Sequence, residues 1–240
     1  MKNLKMSILA AAAAAFTLVT SSCHVGCIKG SGNANTETRK TGNFTKIDIE
    51  GAFKVTLKQD SSASLTVTAD DNIQKYIHTT IDGERLRIYS RKNLCSKTPT
   101  TLVVGVKNLS SIKGSGAVEL YTDSVLNVQD LTLGFAGATK ANLNIHAANV
   151  KTEGSGSTEL TLRGQANSHA IEFTGSGHLS AFDFVTGNYD IHTTGAGDLE
   201  INVLHSLKTN TTGAASIKYK GSPSTIENSK TGAADLKHVD

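Results

Sequence analysis

Residues 154–160 read Gly154-Ser155-Gly156-Ser157-Thr158-Glu159-Leu160, a glycine-bearing corner that runs into alternating polar and apolar side chains. The same design recurs. Gly114-Ser115-Gly116, Phe135-Ala136-Gly137, Gly175-Ser176-Gly177, Gly195-Ala196-Gly197, Gly213-Ala214-Ala215 and Gly232-Ala233-Ala234 follow one another, and counted from the first member the steps are 21, 19, 21, 20, 18 and 19 residues. Gly51-Ala52-Phe53 offers an earlier copy, 63 residues before Gly114 and about three periods away. A fixed period of this length is the mark of stacked repeats.

Aligning the copies gives columns. Two positions after each tripeptide stand Val118, Thr139, Thr158, Leu179, Leu199, Ile217 and Leu236, and two further on stand Leu120, Ala141, Leu160, Ala181, Ile201, Tyr219 and His238. Between them runs a polar column of Glu119, Lys140, Glu159, Ser180, Glu200, Lys218 and Lys237. Alternation of this kind is a strand signature. Strands repeated about every twenty residues, with no helix between them, are most simply stacked as a single-stranded parallel β-solenoid, with equivalent residues about 4.8 Å apart up the stack. The flanking glycines supply positive φ or close backbone approach at the corners.

Composition agrees. Among 240 residues only 38% are hydrophobic and 5% aromatic, with 22 Gly, 2 Pro and no Trp. A narrow interior filled by methyls and small branched chains is expected. The section before the repeats is less regular. Phe44 to Gln59 reads as two alternating strands about Gly51, Leu65 to Ala69 and Arg85 to Arg91 as further strands, Asp70 to Tyr76 as a short helical turn, and Thr101 to Val106 as a strand leading into Gly114. Residues 44–109 therefore read as an N-terminal β lobe covering the open end of a solenoid over 110–240, the two together forming one continuous domain.

The leader fixes an address. Lys2 and Lys5 precede an apolar run from Ser7 to Val19, too short to span a bilayer, and Thr20-Ser21-Ser22 leads into Cys23. Residues 1–22 read as a lipoprotein signal peptide and Cys23 as the lipid anchor, against the alternative of an ordinary cleaved signal. Residues 23–43, rich in Gly, Ser, Asn and Thr, read as an anchor and flexible tether. Export places Cys27 and Cys95 where a disulfide can form, closing a long loop worth roughly 4 to 5 kcal/mol; two unpaired thiols are the alternative. The formal charge of +3 falls to +1 without the leader, because it takes Lys2 and Lys5 and no acid with it. Basic residues are scattered among carboxylates, so nucleic acid is not an expected partner.

An opening strand pair around Ile47-Asp48-Ile49-Glu50-Gly51-Ala52-Phe53-Lys54-Val55, then Leu86-Arg87-Ile88-Tyr89, the repeated corners, and a closing Tyr219-Lys220-Gly221-Ser222-Pro223 together resemble the "putative auto-transporter adhesin, head GIN domain" family over residues 43–239. The resemblance implies an all-β, right-handed β-helix-like fold and a Gram-negative cell-envelope location, with lipidation on Cys23 pointing to the outer membrane. It implies no catalytic motif. Phe135-Ala136-Gly137 and the last two corners, which end in Ala, depart from the pattern.

Chemistry-bearing motifs are sparse. No nucleophile elbow, phosphate loop, paired-His zinc helix or Cys-x-x-Cys pair occurs, and no metal or cofactor is expected. The repeat sets His178 beside Asp198, with Ser157 and Ser216 on flanking rungs, and Glu172 beside His192. These pairs could contact a ligand or ion, although outward polar ladders account for them as well. The acids alternate with Lys, which argues against a polysaccharide-active lyase or hydrolase, whose chemistry needs converging acids. The expectation is a non-enzymatic envelope protein whose faces contact proteins or glycans, the alternative being a periplasmic structural protein.

Overall fold

The computed structural model of the chain describes residues 26–60 and 62–240. The signal segment and Cys23 lie outside the described residues. The elements are β1 (Ile28–Lys29), β2 (Ala34–Lys40), β3 (Lys46–Gln59), β4 (Ser64–Asp70), a 3-10 turn (Gln74–Tyr76), β5 (Ile77–Asp82), β6 (Arg85–Ser90), β7 (Leu94–Cys95), β8 (Thr101–Val106), β9 (Ser111–Thr122), β10 (Leu126–Asn127), β11 (Asp130–Lys220), β12 (Thr225–Gly232) and β13 (Asp235–His238). The fold is all-β, built on one large, mostly parallel sheet with antiparallel strands at its N-terminal end.

β11 carries 91 residues of extended backbone. Drawn out straight it would measure roughly 300 Å. It folds back on itself at Gly137, Gly156, Gly175, Gly195 and Gly213, all with φ between +89° and +119°. These glycines back one another. A Cβ on Gly137 would lie 2.8 Å from the carbonyl oxygen of Gly116, one on Gly156 2.8 Å from that of Gly137, and one on Gly175 2.7 Å from that of Gly156. Both the left-handed φ and the close backbone approach exclude any other residue. Thr132 to Asn142 pairs in parallel with Ser111 to Tyr121, and Ser206 to Gly213 with Thr225 to Gly232.

The register differs from a tripeptide-by-tripeptide alignment in two places. Gly51 lies opposite Gly116, so Ile49-Glu50-Gly51 is the copy, and it sits directly on the Gly114 rung instead of three periods away. The intervening chain loops out to build the N-terminal end. The backed glycine is also the third member of the tripeptide up to Gly156 but the first member from Gly175 onward. The polar column therefore splits in two: Glu119, Lys140 and Glu159 belong to one line, and Glu200 and Lys218 to another lying two residues further on.

At the N-terminal end β6 and β8 both pair in parallel with β3, and β5, β4 and β2 then add antiparallel. The turn between β5 and β6 places Gly83 at φ +56°, as the first central position of a two-residue hairpin requires. Cys27 and Cys95 are joined by a disulfide, Cα to Cα 5.6 Å, beside the short β1–β7 pair. Residues 34–40, assigned to a flexible tether on composition, instead form β2, hydrogen-bonded along the whole length of β4. Backbone pairing and the disulfide supply the order that its exposed, polar side chains do not suggest. Asp70, at the end of β4, fastens the same corner. Burial pushes its carboxyl up, but N–H groups donated by Lys97, Thr98 and Gly32 outweigh that and hold it below the usual carboxylate range.

The interior corrects a second expectation. Phe53, Phe135, Phe173, Phe184 and Tyr189 are all buried, so the core accepts aromatic rings. Glycine makes the room: a Cβ on Gly154 or on Gly177 would fall 2.5 Å from the Phe173 ring. At the other end the buried column Leu207, Thr209 and Thr211 passes to Ile226, Asn228 and Lys230, and the polar pair at its tip closes the stack.

A candidate interaction groove

Three positions without side chains open a concavity on the stack. Gly114 and Gly154 lie above and below Phe135 at the corner, and Gly134 separates Lys113 from Glu153 one column away. The result is an open groove of 580 Å³ that crosses successive rungs, floored by Ser115, Ala136 and Ser155. Its rims carry Asp48, Glu50, Glu153 and Glu172 with Lys113 among them.

Each of the four carboxylates has a cationic partner. Arg85 Nη1 lies 2.6 Å from Asp48 Oδ1, and Arg87 Nη2 lies 3.4 Å from Glu50 Oε1. Lys151 Nζ bridges Glu153 and Glu172 at 2.7 and 3.3 Å, and hydrogen bonding to those two carboxylates raises its pKa above the ordinary lysine value. The groove is thus polar and close to neutral, a rim of fixed dipoles rather than a source of reactive acids. Ser155 Oγ donates back to the carbonyl of Phe135 at 3.4 Å, which fixes a hydroxyl on the floor.

A ladder of charge runs beside it. Lys54 lies opposite Glu119, and Glu119 opposite Lys140, whose Nζ reaches Glu159 Oε1 at 2.6 Å. The hydrogen bond to Glu159 raises the Lys140 pKa. Tyr121 donates to Glu119 at 3.0 Å, and burial together with that carboxylate pushes its phenol up.

The sequence-nominated pairs are placed as neighbours and are not bonded to one another. Gly177 and Gly197 back each other, which puts His178 and Asp198 on adjacent rungs, but His178 Nε2 meets Ser180 Oγ at 3.4 Å. Because Gly175 backs Gly156, the rung on the other side presents Glu159 to His178 instead of Ser157. Glu172 turns to Lys151, and His192 Nε2 lies 3.0 Å from Asp190 Oδ1, two residues back on its own strand. Among the described residues no group of three or more His, Cys, Asp or Glu could hold a metal ion.

Sequence reasoning missed one buried polar cluster. His169 is buried, shares a 2.8 Å hydrogen bond with Thr152 Oγ1 through Nε2, and packs edge-on to Phe184 and 5.3 Å from Tyr189 between ring centroids. Burial lowers its pKa to about 3, so the imidazole is neutral, and raises that of Tyr189. The signal was available in the alternation His169, Ile171, Phe173, which sets all three on one face. The cluster is enclosed in the core, and none of its residues lines the groove.

Residues 43–223 match the family model described as "Putative auto-transporter adhesin, head GIN domain". The chain belongs to this family. Three solved structures share its fold. A putative adhesin from Bacteroides fragilis is 22% identical with a TM-score of 0.84, over 88% of this chain and 100% of that one. A putative lipid binding protein from Parabacteroides distasonis is 20% identical with a TM-score of 0.73, over 90% and 100%. A putative adhesin from Parabacteroides merdae is 20% identical with a TM-score of 0.63, over 89% and 99%. At these identities the likeness is one of fold. No curated protein matches the chain.

Proposed function

We propose that this family member is a non-enzymatic, adhesin-like protein of the cell envelope, anchored by lipid on Cys23, whose extended faces bind protein or glycan ligands. In that reading the stacked passes form a right-handed single-stranded β-solenoid, and the tether-free lobe at its base holds it close to the outer membrane. The groove floored by Ser115, Ala136 and Ser155 carries the proposal. It is open along the stack, it offers hydroxyls and ion-paired rims to a ligand's hydrogen-bonding groups, and its length suits a chain-like partner engaged by many weak contacts. The same ion pairs argue against hydrolysis or lyase chemistry, because Asp48 and Glu50 each pair with an Arg while Glu153 and Glu172 share Lys151. The solved relatives named as adhesins from Bacteroides fragilis and Parabacteroides merdae support the same reading.

The test is a glycan and matrix-protein binding array run with the wild type and with Ser155→Trp, which fills the groove from an exposed corner. Loss of a bound ligand on Ser155→Trp, with the thermal transition unchanged, supports the groove. A ligand that binds both proteins equally removes it. Protease shaving of intact cells decides the membrane face: cleavage before the outer membrane is breached supports adhesion, and protection leaves the periplasmic structural role.

A further inference from the structure

We propose that the basic cluster around the chain's entry into the fold, Lys29, Arg91, Lys92 and Lys97, is a docking surface for an anionic lipid bilayer. Charge is divided unevenly along the molecule. Residues 26–109 hold 13 Lys and Arg against 8 Asp and Glu, a net of +5, whereas residues 110–240 hold 9 against 13, a net of −4. An anionic surface therefore attracts the N-terminal end and repels the rest.

Local structure concentrates that excess. Lys29 lies opposite Cys95 in the β1–β7 pair, and Ile28 N donates to the carbonyl of Asn93, next to Lys92. Lys97 Nζ donates to Ser31 O at 3.4 Å, so it covers the same segment. Arg91 rests over the ring of Tyr89 at 5.9 Å, with Arg87 over the same ring at 5.5 Å, and a half-buried tyrosine flanked by guanidinium groups is a side chain suited to the headgroup region. All four cations of the cluster are exposed, and none makes an ion pair among the described residues. The nearby acids, Asp70 accepting backbone N–H groups and Asp71 accepting from Ser31 Oγ, are outnumbered two to one by the four cations.

Chain connectivity selects a bilayer over other polyanions. The disulfide pins Cys27 inside this cluster. Four residues, Cys23 to Gly26, then separate it from the expected lipid, a reach of at most about 14 Å. The inference borrows the lipid-anchor reading only for this orientation, and its test leaves the lipid out.

The chain without residues 1–23, which keeps every described strand and the disulfide, is floated with vesicles of phosphatidylcholine alone and with vesicles containing roughly one quarter phosphatidylglycerol. Binding is expected to the second only, and to fall as salt rises from roughly 50 to 500 mM. The quadruple Lys29→Gln, Arg91→Gln, Lys92→Gln, Lys97→Gln is expected to lose at least about a hundredfold, at roughly fivefold per charge. A control, Lys208→Gln, Lys218→Gln, Lys220→Gln, Lys237→Gln, removes the same charge from the far end and is expected to bind like wild type. Each variant's far-ultraviolet dichroism and thermal midpoint are recorded, and should the quadruple unfold, Lys92→Gln with Lys97→Gln carries the comparison at roughly twenty-fivefold. No binding to anionic vesicles, equal losses in cluster and control, or binding indifferent to salt would each overturn the proposal. Anchoring through Cys23 is read separately, as the mass of the protein from cells.

Discussion

The N-terminal lobe and the stacked passes of β11 achieve order by opposite means. The lobe is tied by long-range devices used once each: the Cys27–Cys95 disulfide, Asp70 accepting from Lys97, Thr98 and Gly32, and Arg39 donating to the carbonyls of Ile77 and Gln74. The stack has no cross-link among the described residues and is held by one arrangement repeated about every twenty residues. Breaking a tie in the lobe is therefore a local event, whereas spoiling one corner of the stack shifts the register of its neighbours. The lobe also carries the net positive charge, whereas the groove is shared, with Asp48 and Glu50 of the lobe on its rim beside Glu153 and Glu172 of the stack.

Reduction of Cys27–Cys95, or Cys95→Ser, has the largest expected effect. A loop of 68 residues gives about 4 kcal/mol on the chain-entropy account. The contrast between halves predicts where it appears: hydrogen exchange should rise in β1, β2, β4 and β7 while β11 stays protected. Uniform deprotection would show that lobe and stack unfold as one unit.

Gly175→Ala comes next. Its φ is +108°, and an added Cβ would lie 2.7 Å from the carbonyl oxygen of Gly156. Left-handed strain and a backbone clash together are expected to cost about 3 kcal/mol. Gly134→Ala, whose Cβ would meet only the flexible Lys113 side chain, at 3.4 Å to Cγ, is the matched control and is expected to change the thermal midpoint little. Equal midpoints for the two variants would deny the corner its structural role.

That pair of glycines also shows how far the sequence can be read. Val118, Leu120 and Leu160 alternate with Glu119 and Glu159 plainly enough to give the strand and its buried face, and all three are buried. Register was harder. Gly-Ser-Gly offers two glycines, and only backbone φ and the approach of the previous rung decide which one stacks. The slip between Gly156 and Gly175 moved His178 from beside Ser157 to beside Glu159, and, separately, alignment on the first tripeptide member hid the direct contact of Gly51 with Gly116. β2 and β5 were obscured because their pairing partners, not their side chains, create them. The charged columns of the site were legible as sign alternation. The groove was not: Gly114 and Gly154 align with Phe135 in the repeat, but the alignment does not show that the missing side chains leave a concavity across the rungs.

His169 extends the comparison to pH. The imidazole is neutral in the core, held down to about 3 by burial, and an unfolded chain titrates near 6.5. The folded pKa lies below the unfolded one, so the unfolded chain takes up the proton first. Stability should be level above about pH 6.5 and fall by up to about 1.4 kcal/mol per unit as pH drops toward 3. His169→Gln, which keeps a partner for Thr152 without a titrating ring, should flatten that slope even if it lowers stability overall. An unchanged slope above about pH 4 would remove His169 as its source, since Asp70, held below its ordinary value, loses its contribution only as pH falls through the range under about 3.8.

The smallest effect tests register at the surface. Lys218 Nζ lies 3.3 Å from Glu200 Oε1 across adjacent rungs, with Lys218 exposed and Glu200 half-buried at the surface, so Lys218→Ala should cost a few tenths of a kcal/mol. Its value lies in the partner it identifies. A double-mutant cycle between Lys218 and Glu200 should give a small favourable coupling that fades in high salt, whereas a cycle between Glu159 and Ser180 should give none, because across the slip Glu159 faces His178. Coupling of Glu159 to Ser180 instead would mean that the tripeptides stack first member on first member throughout, and the backed-glycine register beyond Gly156 would have to be abandoned.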